Sequence, residues 1–271
     1  MSELTPKKVR TSTLLEFKRD GRKIACLTSY DALTAGIFDR AGVDVILVGD
    51  SAADNVLGYT STLPVTVDEM IPFGRAVAGA TSRALVVVDL PFGSYEAGPQ
   101  AALETSVRVM KTTNASAVKF EGGTRSETQI AAVVEAGIPV MGHIGFTPQS
   151  LHAFGGFKVQ GRGEGAEQLI EDALAVERAG AFAVVLELVP ADLAAEVSKR
   201  LSIPTIGIGA GAGCDGQILV WTDFAGLHEG KPRKFVKQYA QLAQILGSAA
   251  KEYVSDVQGG TFPTPAHEFD S

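Results

Sequence analysis

One local pattern occurs four times in this sequence: a short, mostly apolar run that ends in a carboxylate. The acids that end these runs are Asp50, Asp89, Glu121 and Glu187. The runs are rich in β-branched residues, which is typical of parallel strands that are covered on both faces. In a parallel α/β fold the carboxyl ends of the strands share one rim, so acids that are distant in sequence can meet there. We therefore expect these acids to converge at one end of the fold.

Strands of this kind alternate with helical segments along the chain. They are predicted near residues 24–28, 43–49, 84–89, 117–121, 139–144, 183–187, 205–209 and 217–221. Eight strands that alternate with helices favour a closed (β/α)₈ barrel, the TIM barrel, over an open doubly wound sheet. The length of 271 residues suits a single domain of this type, which typically needs about 250 residues.

The predicted domain organisation is simple. One barrel domain is expected over residues 1–255, with a short helical lead-in before the first strand and a long helix over about residues 233–253. The tail, residues 256–271, contains glycine and proline and is expected to be loosely held.

Composition and charge narrow the classes of function. The net charge is -7 and the basic residues are scattered, which argues against a nucleic-acid surface because such a surface needs a basic patch. The polar N-terminus has no signal-peptide core, and no run approaches the roughly 18 apolar residues of a membrane span. Cys26 and Cys214 form no metal-like or redox-like pair, so a reducing, cytoplasmic setting is expected.

Asp50, Asp89 and Glu121 form the first candidate site. Three carboxylates that are brought together repel one another unless a positive charge lies among them, and a hard divalent cation with oxygen ligands is the simplest solution. Mg²⁺ fits best, because it keeps water ligands and leaves room for substrate oxygens. The alternative is that each acid only caps the helix that follows its strand.

Two residues beside these acids are candidates for substrate binding. Lys119 precedes Glu121 by two positions, so both side chains lie on one face of the strand. Nearby carboxylates should keep the ammonium charged, able to bind a carboxylate or an enolate oxygen. The alternative, a Schiff-base lysine, needs a lowered pKa, which the acids oppose. Ser51 could donate a hydrogen bond to a substrate carboxylate.

His143, Glu187 and a glycine-rich run each allow two interpretations. His143 could bind the metal or orient a metal-bound water, or it could be a structural barrel histidine. Glu187 has apolar flanks that would raise its pKa and suit a general base, although a structural ion pair is the alternative. The glycines of residues 207–213 could bind phosphate, but without a dinucleotide signature they more simply allow close approach of a ligand or backbone.

Several of these residues lie in motifs that, in order, resemble a known family. The motifs are Asp50-Ser51, Val-Asp89-Leu-Pro-Phe, Val-Lys119-Phe-Glu121-Gly, Met-Gly-His143-Ile-Gly-Phe-Thr-Pro-Gln149, Leu-Glu187-Leu-Val-Pro and the glycine-rich run of residues 207–213. Together they resemble the ketopantoate hydroxymethyltransferase family. The resemblance runs from about residue 27 to residue 224 and is specific, because the separate motifs occur in the same order.

The resemblance implies a fold, a reaction and an assembly. The fold is a (β/α)₈ barrel of the phosphoenolpyruvate/pyruvate type, and the assembly is a homodecamer of two five-membered rings. The reaction, which begins pantothenate biosynthesis, moves a one-carbon unit from 5,10-methylenetetrahydrofolate to 3-methyl-2-oxobutanoate. Its products are 2-dehydropantoate and tetrahydrofolate.

The resemblance also implies residue roles. The Mg²⁺ ligands would be Asp50, Asp89 and Glu121. The oxo acid would be bound by Asp50, Ser51, Asp89 and Lys119 together with the metal, which would stabilise an enolate. Glu187 would be the proton acceptor. No folate-binding residue follows from the resemblance, and the loops after the second and fifth strands are candidates for a lid.

Two other functions compete with this interpretation. A Mg²⁺-dependent aldolase or lyase that acts on a 2-oxo acid would share the barrel and the metal but would need no folate. A non-catalytic barrel that binds a metabolite would bind its ligand without turnover in Mg²⁺.

Overall fold

The computed structural model describes residues 7–228 and 230–269. Within them, eight parallel strands pair in sequence order and close into a barrel, β8 pairing with β1. The strands are β1 (Ile24–Thr28), β2 (Val45–Val48), β3 (Leu85–Asp89), β4 (Ala117–Glu121), β5 (Val140–Gly145), β6 (Ala183–Glu187), β7 (Thr205–Ile208) and β8 (Gly216–Leu219). The predicted TIM barrel is therefore confirmed.

Among the described residues, one helix precedes β1, further helices lie between successive strands from β1 to β7, and two helices follow β8 in the chain. They are α1 (Thr11–Arg19), α2 (Ala32–Ala41), α3 (Ala52–Asn55), α4 (Val67–Ala80), α5 (Pro99–Thr113), α6 (Glu127–Glu135), α7 (Leu151–Phe154), α8 (Gly165–Arg178), α9 (Ala191–Arg200), α10 (Trp221–Phe224) and α11 (Leu242–Gly259). Every residue of β2, β3, β4, β6 and β7 is buried. This burial explains why the strands read as nearly continuous apolar runs.

Side chains cap the N-terminal starts of α2 and α4, which lie before and after β2. Asp31 accepts hydrogen bonds from the backbone N–H groups of Leu33 and Thr34 at the start of α2. The hydroxyl of Thr66 and the carboxylate of Glu69 form a capping box at the start of α4. These bonds satisfy amides that the first helical turn leaves without partners.

The acids at the opposite, N-terminal end of the barrel have structural partners. Asp44 is buried and pairs with Arg83 at 2.7 Å and with Arg22 at 2.9 Å. Asp39 accepts hydrogen bonds from the backbone N–H groups of Ser82, Arg83 and Ala84. Asp44 and Asp39 therefore bind arginines and backbone amides that hold the barrel together. The acids at the C-terminal rim lie where barrel enzymes place their active sites.

The chain divides into two compact units, the first running to Val220 and the second beginning at Trp221. The first unit contains the whole barrel. In the second, the long helix spans Leu242–Gly259, so its predicted range of about 233–253 was wrong. The amides of Tyr239 and Leu242 donate to the carbonyls of Phe224 and Ala225, which holds the segment before the helix against its own unit. The single domain predicted over residues 1–255 stays a prediction.

Part of the predicted tail belongs to that helix. Residues 256–259 lie in the last turn of α11, and a short 3₁₀ turn follows at Pro265–His267. Among the described residues, no helix has both the length and the apolar composition that crossing a membrane requires.

Candidate active site

The first three candidate acids meet at the C-terminal rim of the barrel. Asp50 follows β2, whereas Asp89 and Glu121 end β3 and β4. The backbone N–H of Asp50 donates to Oδ2 of Asp89 at 2.9 Å. All three side chains are buried, with 5% or less of each residue exposed. The structure thus brings Asp50, Asp89 and Glu121 into one group, called the acid cluster below.

Lys119 lies inside the acid cluster. Its Nζ is 2.8 Å from Oδ1 of Asp89, as expected from the pairing of these two residues across β3 and β4. Burial alone would lower the pKa of Lys119, but the charges of Asp89, Asp50 and Glu121 raise it above the ordinary value. The side chain is therefore an ammonium, which disfavours the Schiff-base interpretation.

One ammonium does not balance three carboxylates. Burial and the charge of Asp89 raise the pKa of Asp50 to about 7. Burial and the charge of Asp50 raise the pKa of Glu121 well above its ordinary value. The shifts show that the cluster holds negative charge that the protein itself does not fully compensate.

The donor atoms of the acid cluster fit a hard divalent cation. They are carboxylate oxygens, which Mg²⁺ prefers, and Mg²⁺ commonly uses one or two carboxylates and completes its shell with water or substrate oxygens. In residues 7–228 and 230–269, no three His, Cys, Asp or Glu side chains form a ready-made metal cage. The arrangement around Lys119 thus suits a cation that takes part of its shell from substrate and water.

Ser51 lies next to the acid cluster at the start of α3. Its Oγ is 2.7 Å from the hydroxyl of Tyr30, which accepts a hydrogen bond from Thr28 at 3.1 Å. Tyr30 is buried, and this contact holds the Ser51 side chain in place. The sequence indicated Ser51 but missed Tyr30, because a tyrosine after a strand carries no signal that it will support a residue 21 positions later.

His143 connects the acid cluster to the fourth rim acid. Its Nδ1 is 3.2 Å from Nζ of Lys119 and 3.6 Å from Oε1 of Glu121. Its Nε2 is 3.3 Å from Oε2 of Glu187. Glu187 therefore lies against the same group of side chains, as the expected convergence of the four acids predicted.

The proton position on His143 follows from these neighbours. Burial and the charge of Lys119 hold the pKa of His143 well below its ordinary value, so the ring is neutral. The Lys119 ammonium has only donors, so Nδ1 must accept from it. We infer that the ring proton is on Nε2, which lies 3.3 Å from Oε2 of Glu187 without a hydrogen bond of good geometry to it.

Glu187 ends β6 and is 8% exposed. It lies opposite Gly145 in the pairing of β5 with β6, and Gly145 has a φ of 88°. A Cβ atom at Gly145 would overlap the backbone carbonyl of Glu187. The glycine at the end of β5 thus allows the backbone of Glu187 to approach closely, and the expected elevation of the Glu187 pKa stays a prediction.

Gln149 and Tyr95 are site residues that sequence reasoning missed. The amide Nε2 of Gln149 donates to Oδ2 of Asp50 at 2.9 Å, and its backbone N–H donates to Oε2 of Glu121 at 3.1 Å. The Tyr95 hydroxyl accepts from the backbone N–H of Glu121 and donates to Oε1 of Gln149 at 2.6 Å. These bonds fix two acids of the cluster. Gln149 lay in a motif noted in the sequence, but its loop position gave no indication of which acids it contacts.

The glycine-rich run of residues 207–213 has a packing role. A Cβ atom at Gly211 would lie 2.5 Å from Cβ of Ala191, and one at Gly213 would lie 2.5 Å from Cβ of Ala195. Both alanines belong to α9. The glycines therefore let this loop contact the helix backbone closely, as one of the two interpretations of the sequence predicted.

Comparison with known sequences places the chain in one family. A sequence profile described as ketopantoate hydroxymethyltransferase matches residues 8–265. A protein of Leifsonia xyli subsp. xyli named 3-methyl-2-oxobutanoate hydroxymethyltransferase is 62% identical over 265 residues, which cover 98% of this chain and 96% of that protein. A protein of Corynebacterium glutamicum with the same name is 58% identical, covering 99% of this chain and all (100%) of that protein.

Comparison with solved structures supports the fold. A phosphonopyruvate hydrolase crystallised with oxalate and Mg²⁺ superposes with a TM-score of 0.61 at 14% identity, covering 97% of this chain and 92% of the other. A 2,3-dimethylmalate lyase, described as a member of the PEP mutase/isocitrate lyase superfamily, superposes with a TM-score of 0.59 at 16% identity, covering 96% and 91%. At these identities the similarity concerns the barrel alone.

Proposed function

We propose a function from one premise: this chain belongs to the ketopantoate hydroxymethyltransferase family. It is an enzyme that transfers a hydroxymethyl group to 3-methyl-2-oxobutanoate, giving 2-dehydropantoate in the first step of pantothenate biosynthesis. The one-carbon donor is 5,10-methylenetetrahydrofolate, and the metal is Mg²⁺. The observation that carries the proposal is the grouping of the acid cluster, Lys119, His143 and Glu187 at one rim.

The acid cluster and its neighbours would bind the oxo acid. Asp50, Asp89 and Glu121 would hold Mg²⁺, which supplies Lewis-acid stabilisation of the negative charge that develops on the substrate. Lys119 would contribute its fixed positive charge to the same oxygens. Ser51, held by the Tyr30 hydroxyl, would donate to the substrate carboxylate. These groups orient the oxo acid and lower the cost of removing a proton from C3.

Glu187 would remove the C3 proton. Its Oε2 lies 3.3 Å from Nε2 of His143, whose other ring nitrogen lies 3.2 Å from Nζ of Lys119. By donating from Nε2 to this carboxylate in the complex with substrate, His143 would hold Glu187 in its reactive orientation while its other ring nitrogen accepts from Lys119. The electron pair left on C3 would then form the new bond to the one-carbon unit. The bonds from that carbon to the two folate nitrogens would break, water would supply the hydroxyl oxygen of 2-dehydropantoate, and the C3 proton and the second proton of water would end on the nitrogens of tetrahydrofolate.

Product formation should depend on the folate. With purified protein, Mg²⁺ and 3-methyl-2-oxobutanoate, we expect 2-dehydropantoate only when 5,10-methylenetetrahydrofolate is added. Release of the product can be followed by mass spectrometry. Turnover of a 2-oxo acid without folate would favour the aldolase or lyase alternative, and binding without turnover would favour a non-catalytic barrel. Exchange of the C3 hydrogen with solvent would not separate the two enzymes, because both remove that proton.

The proposed role of His143 can be tested with two substitutions. Gln can place an amide N–H near the position of Nε2, whereas Asn reaches only the position of Nδ1. We expect His143→Asn to lower kcat by roughly 10–100-fold, the usual cost of losing a group that orients a reactive residue, and His143→Gln to lower it less. Steady-state kinetics with both variants make the comparison. Equal losses in the two variants would contradict the proposed contact with Glu187.

The assembly and the setting are further parts of the proposal. The resemblance to the family supports self-association as a homodecamer. Both cysteines are free and buried, as expected for a protein that works in the reducing cytoplasm. Neither nucleic acid nor a membrane is proposed as a partner.

A further inference from the structure

We propose that a cavity beside the acid cluster binds the aminobenzoyl-glutamate part of the one-carbon donor, an inference that rests on the proposed function. The cavity has a volume of about 250 Å³. It lies among the segments that follow β3, β4 and β5, at the rim that carries the acid cluster. Glu121 and Gln149 line the cavity and also belong to the acid cluster or contact it. A ligand that extended from the cluster could therefore enter it.

Arg125 and Gln129 bring hydrogen-bond donors to this cavity that no acid of the described residues engages. Arg125 donates to Oγ of Ser150 at 2.9 Å, and no carboxylate among the described residues forms an ion pair with it. Gln129 is 8% exposed; its amide oxygen accepts from Thr128, while its amide nitrogen has no partner within the described ranges. A guanidinium that is bonded only to a neutral hydroxyl, and an amide nitrogen with no protein acceptor, can both donate to a ligand.

The acids that line the cavity are already bonded. Oε2 of Glu96 accepts from the backbone N–H groups of Gly93 and Tyr95, at 2.9 and 3.2 Å. Oε2 of Glu121 accepts from the backbone N–H of Gln149. Backbone amides thus engage one oxygen of each acid, and Arg125 is the lining side chain that can bind an anionic ligand group such as a carboxylate.

Aromatic side chains supply a flat apolar wall. Phe92 lines the cavity and is 49% exposed, and the Tyr95 ring packs on Phe120 with 4.9 Å between centroids. The combination suits a carboxylate attached near an aromatic ring. The oxo acid has no ring and is proposed to lie at Ser51 and Lys119. The donor has a benzoyl ring linked to glutamate, and the cavity is too small for the whole of that molecule.

Arg125→Gln tests this assignment. We expect the KM for 5,10-methylenetetrahydrofolate to rise by roughly 10–150-fold. This is the loss of affinity that usually follows when a hydrogen bond to a charged group is removed. The KM for the oxo acid should change less than twofold. Ser150→Ala removes a neutral donor and should raise the KM of the folate by a smaller factor. Arg75→Gln, which replaces an exposed arginine of α4, is the matched control and should change neither KM.

A direct binding measurement separates the cavity from the reaction. Titration calorimetry with p-aminobenzoyl-L-glutamate should show binding to the wild-type chain and weakening in Arg125→Gln by the same factor as the KM. Failure of this fragment to bind the wild type, or equal affinity in both proteins, would overturn the cavity assignment even if turnover requires folate. Fragment binding that depends on Arg125, without folate-dependent turnover, would instead reject the proposed function. Circular dichroism and the Tm of each variant identify any loss of folding. If Arg125→Gln does not fold, the affinity of Ser150→Ala for the fragment tests the cavity assignment in its place, and an affinity equal to that of the wild type would overturn it.

Discussion

Glu187→Gln is expected to lower kcat by roughly 10²–10⁴-fold, the usual contribution of a positioned general base. Glutamine keeps the shape of the side chain and can still contact Nε2 of His143, which lies 3.3 Å from Oε2 in the wild type. It cannot accept a proton from C3. The binding of Mg²⁺ and of 3-methyl-2-oxobutanoate should therefore persist while turnover falls.

Hydrogen exchange at C3 gives the most direct measurement for this variant. In D₂O with Mg²⁺ and no folate, the wild type should exchange the C3 hydrogen of the oxo acid, and Glu187→Gln should lose that exchange together with kcat. Glu167→Gln, on the exposed face of α8, is the matched control and should behave as the wild type. Equal loss of metal binding and oxo-acid binding in Glu187→Gln would contradict the role of a base.

Asp50→Ala and Asp89→Ala should each weaken Mg²⁺ binding by more than roughly 100-fold, since even residues that only support a metal ligand cost 10–100-fold when replaced. The two variants should differ in their other effects. Asp89 is the partner of Lys119 at 2.8 Å and accepts from the backbone N–H of Asp50. Asp50 accepts from the side chain of Gln149. Loss of Asp89 should therefore also disturb oxo-acid binding through Lys119.

Calorimetric titration of each purified variant with Mg²⁺ measures this prediction. The KM of the oxo acid at saturating metal then shows whether Asp89→Ala has the additional effect. Asp192→Ala, an exposed acid in the first turn of α9, serves as the matched control. Unchanged Mg²⁺ affinity in both cluster variants would refute the assignment of Asp50 and Asp89 as ligands.

The sequence was sufficient to predict the barrel and to identify the acids at its rim. A parallel strand that is covered on both faces needs an apolar run, and a helix must follow it to reach the next strand, so the alternation is visible locally. Because the carboxyl ends of such strands share one rim, Asp50, Asp89 and Glu121 could be expected together without coordinates. The start of α11 could not be predicted in this way. The backbone N–H groups of Tyr239 and Leu242 donate to the carbonyls of Phe224 and Ala225, which are distant in sequence, and such bonds leave no local pattern.

The contacts around those acids were decided only by the tertiary structure. The pairing of β4 with β5 places Glu121 opposite His143, and the pairing of β5 with β6 places Gly145 opposite Glu187. These registers bring His143 between Lys119 and Glu187, and the loop after β5 brings Gln149 against Asp50. Local sequence determines which face of a strand a side chain occupies, because that depends on a period of two residues. Which of those side chains meet depends on the register between strands. That register is set by the packing of the whole barrel, so it cannot be read from any one segment of the sequence.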